Sequence, residues 1–160
     1  MAIDPDEFRA VLGRFASSVT IVTARDGDGR DHGMTASAFC STSLVPPLVL
    51  ACIDRATEMH GVLGSATFFG VSILEEGQEA LSRRFAELPA AGGRFDGIGY
   101  TRAESGVILL DDAIAHLECS VVNRHEAGDH MICVGQVEWA DCRQQRPLLY
   151  YRGGYAQLER

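Results

Sequence analysis

At 160 residues the chain has the length of one domain, read as a single unit over 1–160, and is long enough to bury a core without disulfide or metal staples. Its net charge of -8 excludes the basic face that nucleic-acid binding needs. Fourteen arginines and no lysine exclude lysine Schiff-base chemistry and a P-loop, so a bound phosphate must be held by Arg, hydroxyls or backbone N–H groups.

In chain order, Asp4-Pro5-Asp6-Glu7 opens a helix with Asp4 as cap, and Phe8, Val11, Leu12 and Phe15 follow at helical spacing as one expected buried face. Residues 18–24 (SVTIVTA) alternate and are β-branched, which predicts a strand. A turn at Asp26-Gly-Asp-Gly29 returns the chain as an antiparallel partner over 32–38. The segment 33–43 is rich in small hydroxyls (Thr35, Ser37, Ser41, Thr42, Ser43). It reads either as a strand, turn and strand whose hydroxyls satisfy their own backbone, or as a cradle for a phosphate or heteroaromatic ring.

After Pro46-Pro47, residues 48–53 form a continuous apolar strand; 57–63 read as a short helix ending at Gly64, and 68–74 as another strand. Residues 78–86 form a helix with Leu81 and Phe85 on one face, and 88–100, with Pro89 and four glycines, form the longest expected loop. Two long strands, 113–122 and 130–139, are expected around a turn over 123–129, and strand-like aromatics fill 147–155. About six strands and two or three short helices, joined by turns, predict a mainly β, closed or partly closed barrel.

Cys40, Cys52, Cys119, Cys133 and Cys142 are odd in number and lack a CxxC, which reads as reduced thiols in a cytoplasmic protein. No apolar run approaches 18 residues and no signal-peptide pattern is present, so no membrane partner is expected. No metal site is expected. The Asp26 turn starts like a calcium loop, but its twelfth position is Ser37, and His125, Asp129 and His130 lack a third ligand at workable spacing.

Two candidates stand on their own chemistry. Arg83-Arg84 is either a solvated helix face or the anion-holding pair, and because helix neighbours point about 100° apart, one of the two would face a ligand. His130, after Gly128-Asp129 at a strand mouth, is either structural or a functional imidazole.

Six pieces, in order, cover nearly the whole chain: residues 8–24 (FRAVLGRFASSVTIVTA), 33–39 (GMTASAF), 43–50 (SLVPPLVL), 81–86 (LSRRFA), 128–137 (GDHMICVGQV) and 148–155 (LLYYRGGY). Together they resemble the short-chain flavin reductase family, the reductase components of two-component flavin monooxygenases. The resemblance implies a split β-barrel of the FMN-binding, Greek-key type. It implies a homodimer with FAD or FMN held non-covalently at the subunit interface, and NADH in preference to NADPH. Carried over by position, it places flavin contacts at Thr35, Ala36, Ser37 and Ser41, with a second set at Cys52, Ile53 and Asp54. Ser82, Arg83, Arg84 and Phe85 match the phosphate side. His130 is placed over the flavin near the nicotinamide as the catalytic candidate, and Tyr151, Arg152 and Tyr155 beside the nicotinamide nucleotide. The implied activity is hydride transfer from NADH to flavin, with reduced flavin diffusing to a partner monooxygenase. The alternatives are a split-barrel enzyme using flavin or deazaflavin on its own organic substrate, and a flavin-binding protein without catalysis.

Overall fold

The computed structural model describes residues 2–87 and 93–159. Among them are three helices and twelve strands: α1 (Pro5–Leu12), β1 (Ser17–Ser18), β2 (Thr20–Arg25), β3 (Asp31–Ala36), β4 (Phe39–Ser43), β5 (Leu48–Asp54), α2 (Glu58–Ser65), β6 (Phe68–Ile73), α3 (Glu79–Ala86), β7 (Tyr100–Arg102), β8 (Ile108–Leu110), β9 (Ala115–Ala127), β10 (His130–Cys142), β11 (Leu149–Tyr151) and β12 (Gly154–Ala156). Residues 88–92 of the expected loop lie outside the described residues.

Seven strands form one antiparallel sheet in the order β3-β2-β6-β9-β10-β5-β4. Its two end strands, β3 and β4, are consecutive in sequence, with only Ser37 and Ala38 between them. Two residues span at most about 7 Å, so the sheet must roll until its edges meet. The result is a barrel with a split between β3 and β4. Register shifts between Val134 and Gly135 and between Val137 and Trp139 curl the β9–β10 hairpin, as bulges do at barrel corners. The Cβ of any other residue at position 135 would sit 2.5 Å from the Phe69 ring, so Gly135 admits that ring to the barrel interior.

Strand β2 is buried on both faces. Val22 and Ala24 join Val49, Ala51, Ile53, Phe69 and Val71 inside the barrel. On the outside, Val19 and Ile21 pack with Leu74, Phe85, Ile108, Leu110 and Leu148, supplied by α3, β8 and the approach to β11. A Cβ at Gly33 would lie 2.6 Å from Phe85, so this glycine lets α3 close directly onto β3.

Three expectations are corrected. Asp4 does cap α1, accepting from the Asp6 N–H at 2.8 Å. The face it starts, however, is not buried in this chain: Phe8, Val11, Leu12 and Phe15 are 54, 59, 48 and 78% exposed. The expected turn over 123–129 shrinks to Gly128-Asp129, with Gly128 at φ 63°; cross-strand pairing carries β9 on to Ala127 despite its polar sequence. Strands are twice as numerous as expected, because bends and two- or three-residue pairings such as β7–β8 break up runs that look continuous or featureless in sequence. Among the described residues, no helix is long and apolar enough to cross a membrane, and no cluster of His, Cys, Asp and Glu could hold a metal.

Candidate active site

The split opens into a cleft of about 370 Å³. Its floor is the backbone of 35–38, where β3 ends and the chain crosses to β4. Cys52, Asp54 and Thr57 form one wall, Ser82 and Ala86 of α3 another, and Tyr150 and Tyr155 a third, with His130 at the mouth. Of the residues singled out in sequence, Thr35, Ala36, Ser37, Cys52, Asp54, Ser82, His130 and Tyr155 are thus brought together, although they come from five elements and the β3–β4 junction.

The hydrogen bonds sort these groups. Thr35 Oγ1 donates to the Ser82 carbonyl at 2.6 Å, tying β3 to α3. The fully buried Ser82 has its Oγ 2.8 Å from the Tyr155 hydroxyl. Tyr155 packs edge-on against Tyr150 at 5.5 Å, its partner across β11–β12. The Arg83 guanidinium lies 4.9 Å from the centre of the Tyr155 ring and is held by Glu79 Oε1 at 2.6 and 2.9 Å. A largely apolar cleft walled in part by tyrosines, with the Arg83 cation on the Tyr155 ring, fits a heteroaromatic ring carrying an anionic tail.

His130 and Asp54 are opposite one another where the β5–β10 ladder ends. His130 Nδ1 lies 2.7 Å from Asp129 Oδ1. That bond holds the Asp129 carboxyl below its ordinary pKa. Nδ1 is thus engaged, and Nε2 is the ring nitrogen without a partner among the described residues. Burial, with Cys40 nearby, pushes the Cys52 thiol above its ordinary value, so that thiol meets the cleft uncharged.

Other candidates lie elsewhere. Ile53 and Phe85 are fully buried, one inside the barrel and one behind β3, so their side chains face core. Ser41 is exposed on β4, outside the cleft. Arg84 reaches away, donating to the Gly93 and Asp96 carbonyls at 2.8 Å each. Tyr151 is exposed, and Arg152, at φ 52° in the β11–β12 turn, lines a neighbouring apolar groove.

That groove, about 490 Å³, includes Leu12, Phe15, Phe39, Cys40 and Leu50, and shares Ser37, Ala38, Cys52 and Tyr150 with the cleft. Sequence reading missed Val19, Met34, Ala38, Thr57, Ala86 and Tyr150 as cleft residues. Tyr150 had a usable signal: a turn centred on Arg152-Gly153 sets residue 150 opposite residue 155. The others are small or apolar and carry none.

A barrel left open along one seam, with its ligand seat in that seam, defines a split-barrel protein. The chain belongs to the Flavin reductase like domain family, which matches residues 12–159. It is 38% identical over 159 residues to the reductase subunit HsaB of a flavin-dependent monooxygenase from Rhodococcus jostii, covering 99% of this chain and 80% of that protein. It is 43% identical over 161 residues to an NADH-dependent flavin reductase from Rhodococcus sp, covering 98% and 88%. The NADH:FAD oxidoreductase of Streptomyces globisporus, solved with NAD and FAD fragments, superposes with a TM-score of 0.91 at 36% identity, covering 99% of this chain and 97% of that one.

Proposed function

We propose that this chain is an NADH-dependent flavin reductase that reduces FAD or FMN and releases the product to a separate flavin-dependent monooxygenase. The observation that carries the reading is the seam cleft itself, which gathers Thr35, Ala36, Ser37, Ser82, His130 and Tyr155, with the Arg83 guanidinium on the Tyr155 ring. The family membership and the activities of the relatives support it. When bound, the flavin supplies the hydride acceptor at N5 and NADH supplies the hydride from C4, a two-electron transfer.

The chain's own part is binding and alignment. Thr35, Ala36 and Ser37 meet the polar edge of the ring, and Cys52 and Asp54 form its opposite side. Ser82 and Arg83 lie toward the phosphate. Tyr155 walls the ring, and Arg152 approaches the nicotinamide nucleotide from the neighbouring groove. His130 presents Nε2 to the nicotinamide and orients it.

A second copy of the chain completes the site. The exposed face of α1, together with Leu44 and Val45 at 86 and 88% exposure, supports this, and the groove lined by Leu12 and Phe15 shares Ser37, Ala38, Cys52 and Tyr150 with the cleft.

Anaerobic stopped-flow mixing of the protein and NADH with FMN or FAD tests the reading. Multiple-turnover bleaching that depends on the protein is the expected result; flavin binding without bleaching would overturn the hydride-transfer assignment. His130→Ala should slow the NADH-dependent phase, and an unchanged rate and NADH KM would remove His130 from the site.

A further inference from the structure

Arg84 and Arg94 hold one another's elements. From α3, Arg84 Nη2 reaches the carbonyls of Gly93 and Asp96 in the following loop, at 2.8 Å each. From that loop, Arg94 Nη1 donates to the Gly33 carbonyl on β3 at 2.8 Å and to the Phe85 carbonyl on α3 at 3.2 Å, and its Nη2 donates to the carbonyl of Glu87. Arg94 is only 8% exposed, and its Nε is buried without a partner. A cation at the C-terminal carbonyls of a helix is favourably placed against the helix dipole. Phe95, next in sequence, packs edge-on against Phe85 at 5.1 Å, so the loop is anchored by a ring as well as by charge.

We propose that Arg84 and Arg94 form a reciprocal clamp that sets α3 against β3 and so builds the flavin seat, and that Arg84 is a positioning residue and not a phosphate ligand. Gly33 is two residues before Thr35, whose hydroxyl must meet the Ser82 carbonyl at 2.6 Å. If α3 slides along β3, that bond breaks, and Ser82 and Ala86 leave the cleft wall with it. Lysine cannot replace Arg94, because two guanidinium nitrogens spread over three carbonyls, on β3, in α3 and just beyond it, where an ammonium is one point charge. The inference rests on the flavin-site reading given above.

The test compares riboflavin, which has no phosphate, with FMN. Binding of both is measured by fluorescence quenching for the intact protein and for Arg84→Met, Arg94→Lys and Arg83→Met, alongside melting temperature and steady-state reduction. A positioning role predicts that Arg84→Met and Arg94→Lys weaken riboflavin and FMN equally, by at least about 10-fold, the scale of a lost charge-assisted hydrogen bond. The loss should fall on the flavin KM and not on kcat. Arg83→Met should weaken FMN alone. A loss confined to FMN in Arg84→Met would make Arg84 a phosphate ligand and overturn the proposal, as would unchanged affinity for both flavins. If Arg94→Lys fails to fold, Arg84→Met, altered at an exposed side chain, decides alone. Failure of the unmutated protein to bind either flavin would sink the flavin-site reading, and the clamp's purpose with it.

Discussion

Helices α1 and α3 are each eight residues long and each carry one apolar face, yet they meet opposite fates. Helix α3 buries Ser82 and Phe85, and its partner strand carries a glycine where the ring comes down. Helix α1 buries no residue. The pattern of apolar residues states that a face needs cover; it does not state which molecule supplies it. What separates the two helices is Gly33 beneath α3, Arg94 reaching it from the following loop and Arg84 reaching back from α3 itself.

The sharpest way to break this contrast is Phe85→Ala. It should cost about 3–5 kcal/mol of unfolding free energy in denaturant titration, because a fully buried ring leaves a cavity between β3 and the β8 layer. A loss below 1 kcal/mol would mean that α3 is no better anchored than α1. The complementary change, Val11→Glu with Phe15→Glu, should weaken self-association at least about tenfold in sedimentation, as the loss of buried apolar anchors does. The unfolding free energy of the separated subunit should stay within about 0.5 kcal/mol. Unaltered association would show that the α1 face is not covered by a second copy.

Asp4→Ala removes the one side-chain cap of α1 and should cost about 1 kcal/mol, read as faster amide exchange over Phe8–Leu12. The smallest effect belongs to a turn held by charge. Asp26 has its pKa lowered from 3.8 to about 2, chiefly by the His32 hydrogen bond at 2.9 Å and then by the Arg30 backbone N–H. Because the folded-state value is depressed, its contribution is present above 3.8 and fades as the pH falls toward 2. Asp26→Asn should flatten the stability profile in that window alone, measured by acid titration of near-ultraviolet dichroism.

Strand identity was readable wherever alternation or β-branching was strong, as at 18–24 and 48–53, and the helix caps were readable from Asp4 and Pro5. A barrel was expected from strands joined by turns; the pairing that closes it was not readable, because register between strands as distant as β5 and β10 leaves no local mark. Nor was the division between Arg83 and Arg84. Both are arginines on one helix, and only the positions of Tyr155 on one side and of Gly93 and Asp96 on the other tell them apart. The hydroxyl-rich stretch read equally well as structure or as site. The Thr35 side chain is engaged by the fold, and Thr35, Ala36 and Ser37 line the cleft proposed to seat the flavin.

The two-residue passage from β3 to β4 also sets a clock. The seat it creates exists only after the sheet has come full circle, and that requires pairings between strands far apart in the chain, which form slowly. During refolding, quenching of added flavin should therefore lag the far-ultraviolet signal of strand formation. Because flavin binds only the closed form, an excess of it should raise the melting temperature of the whole barrel and not of one loop.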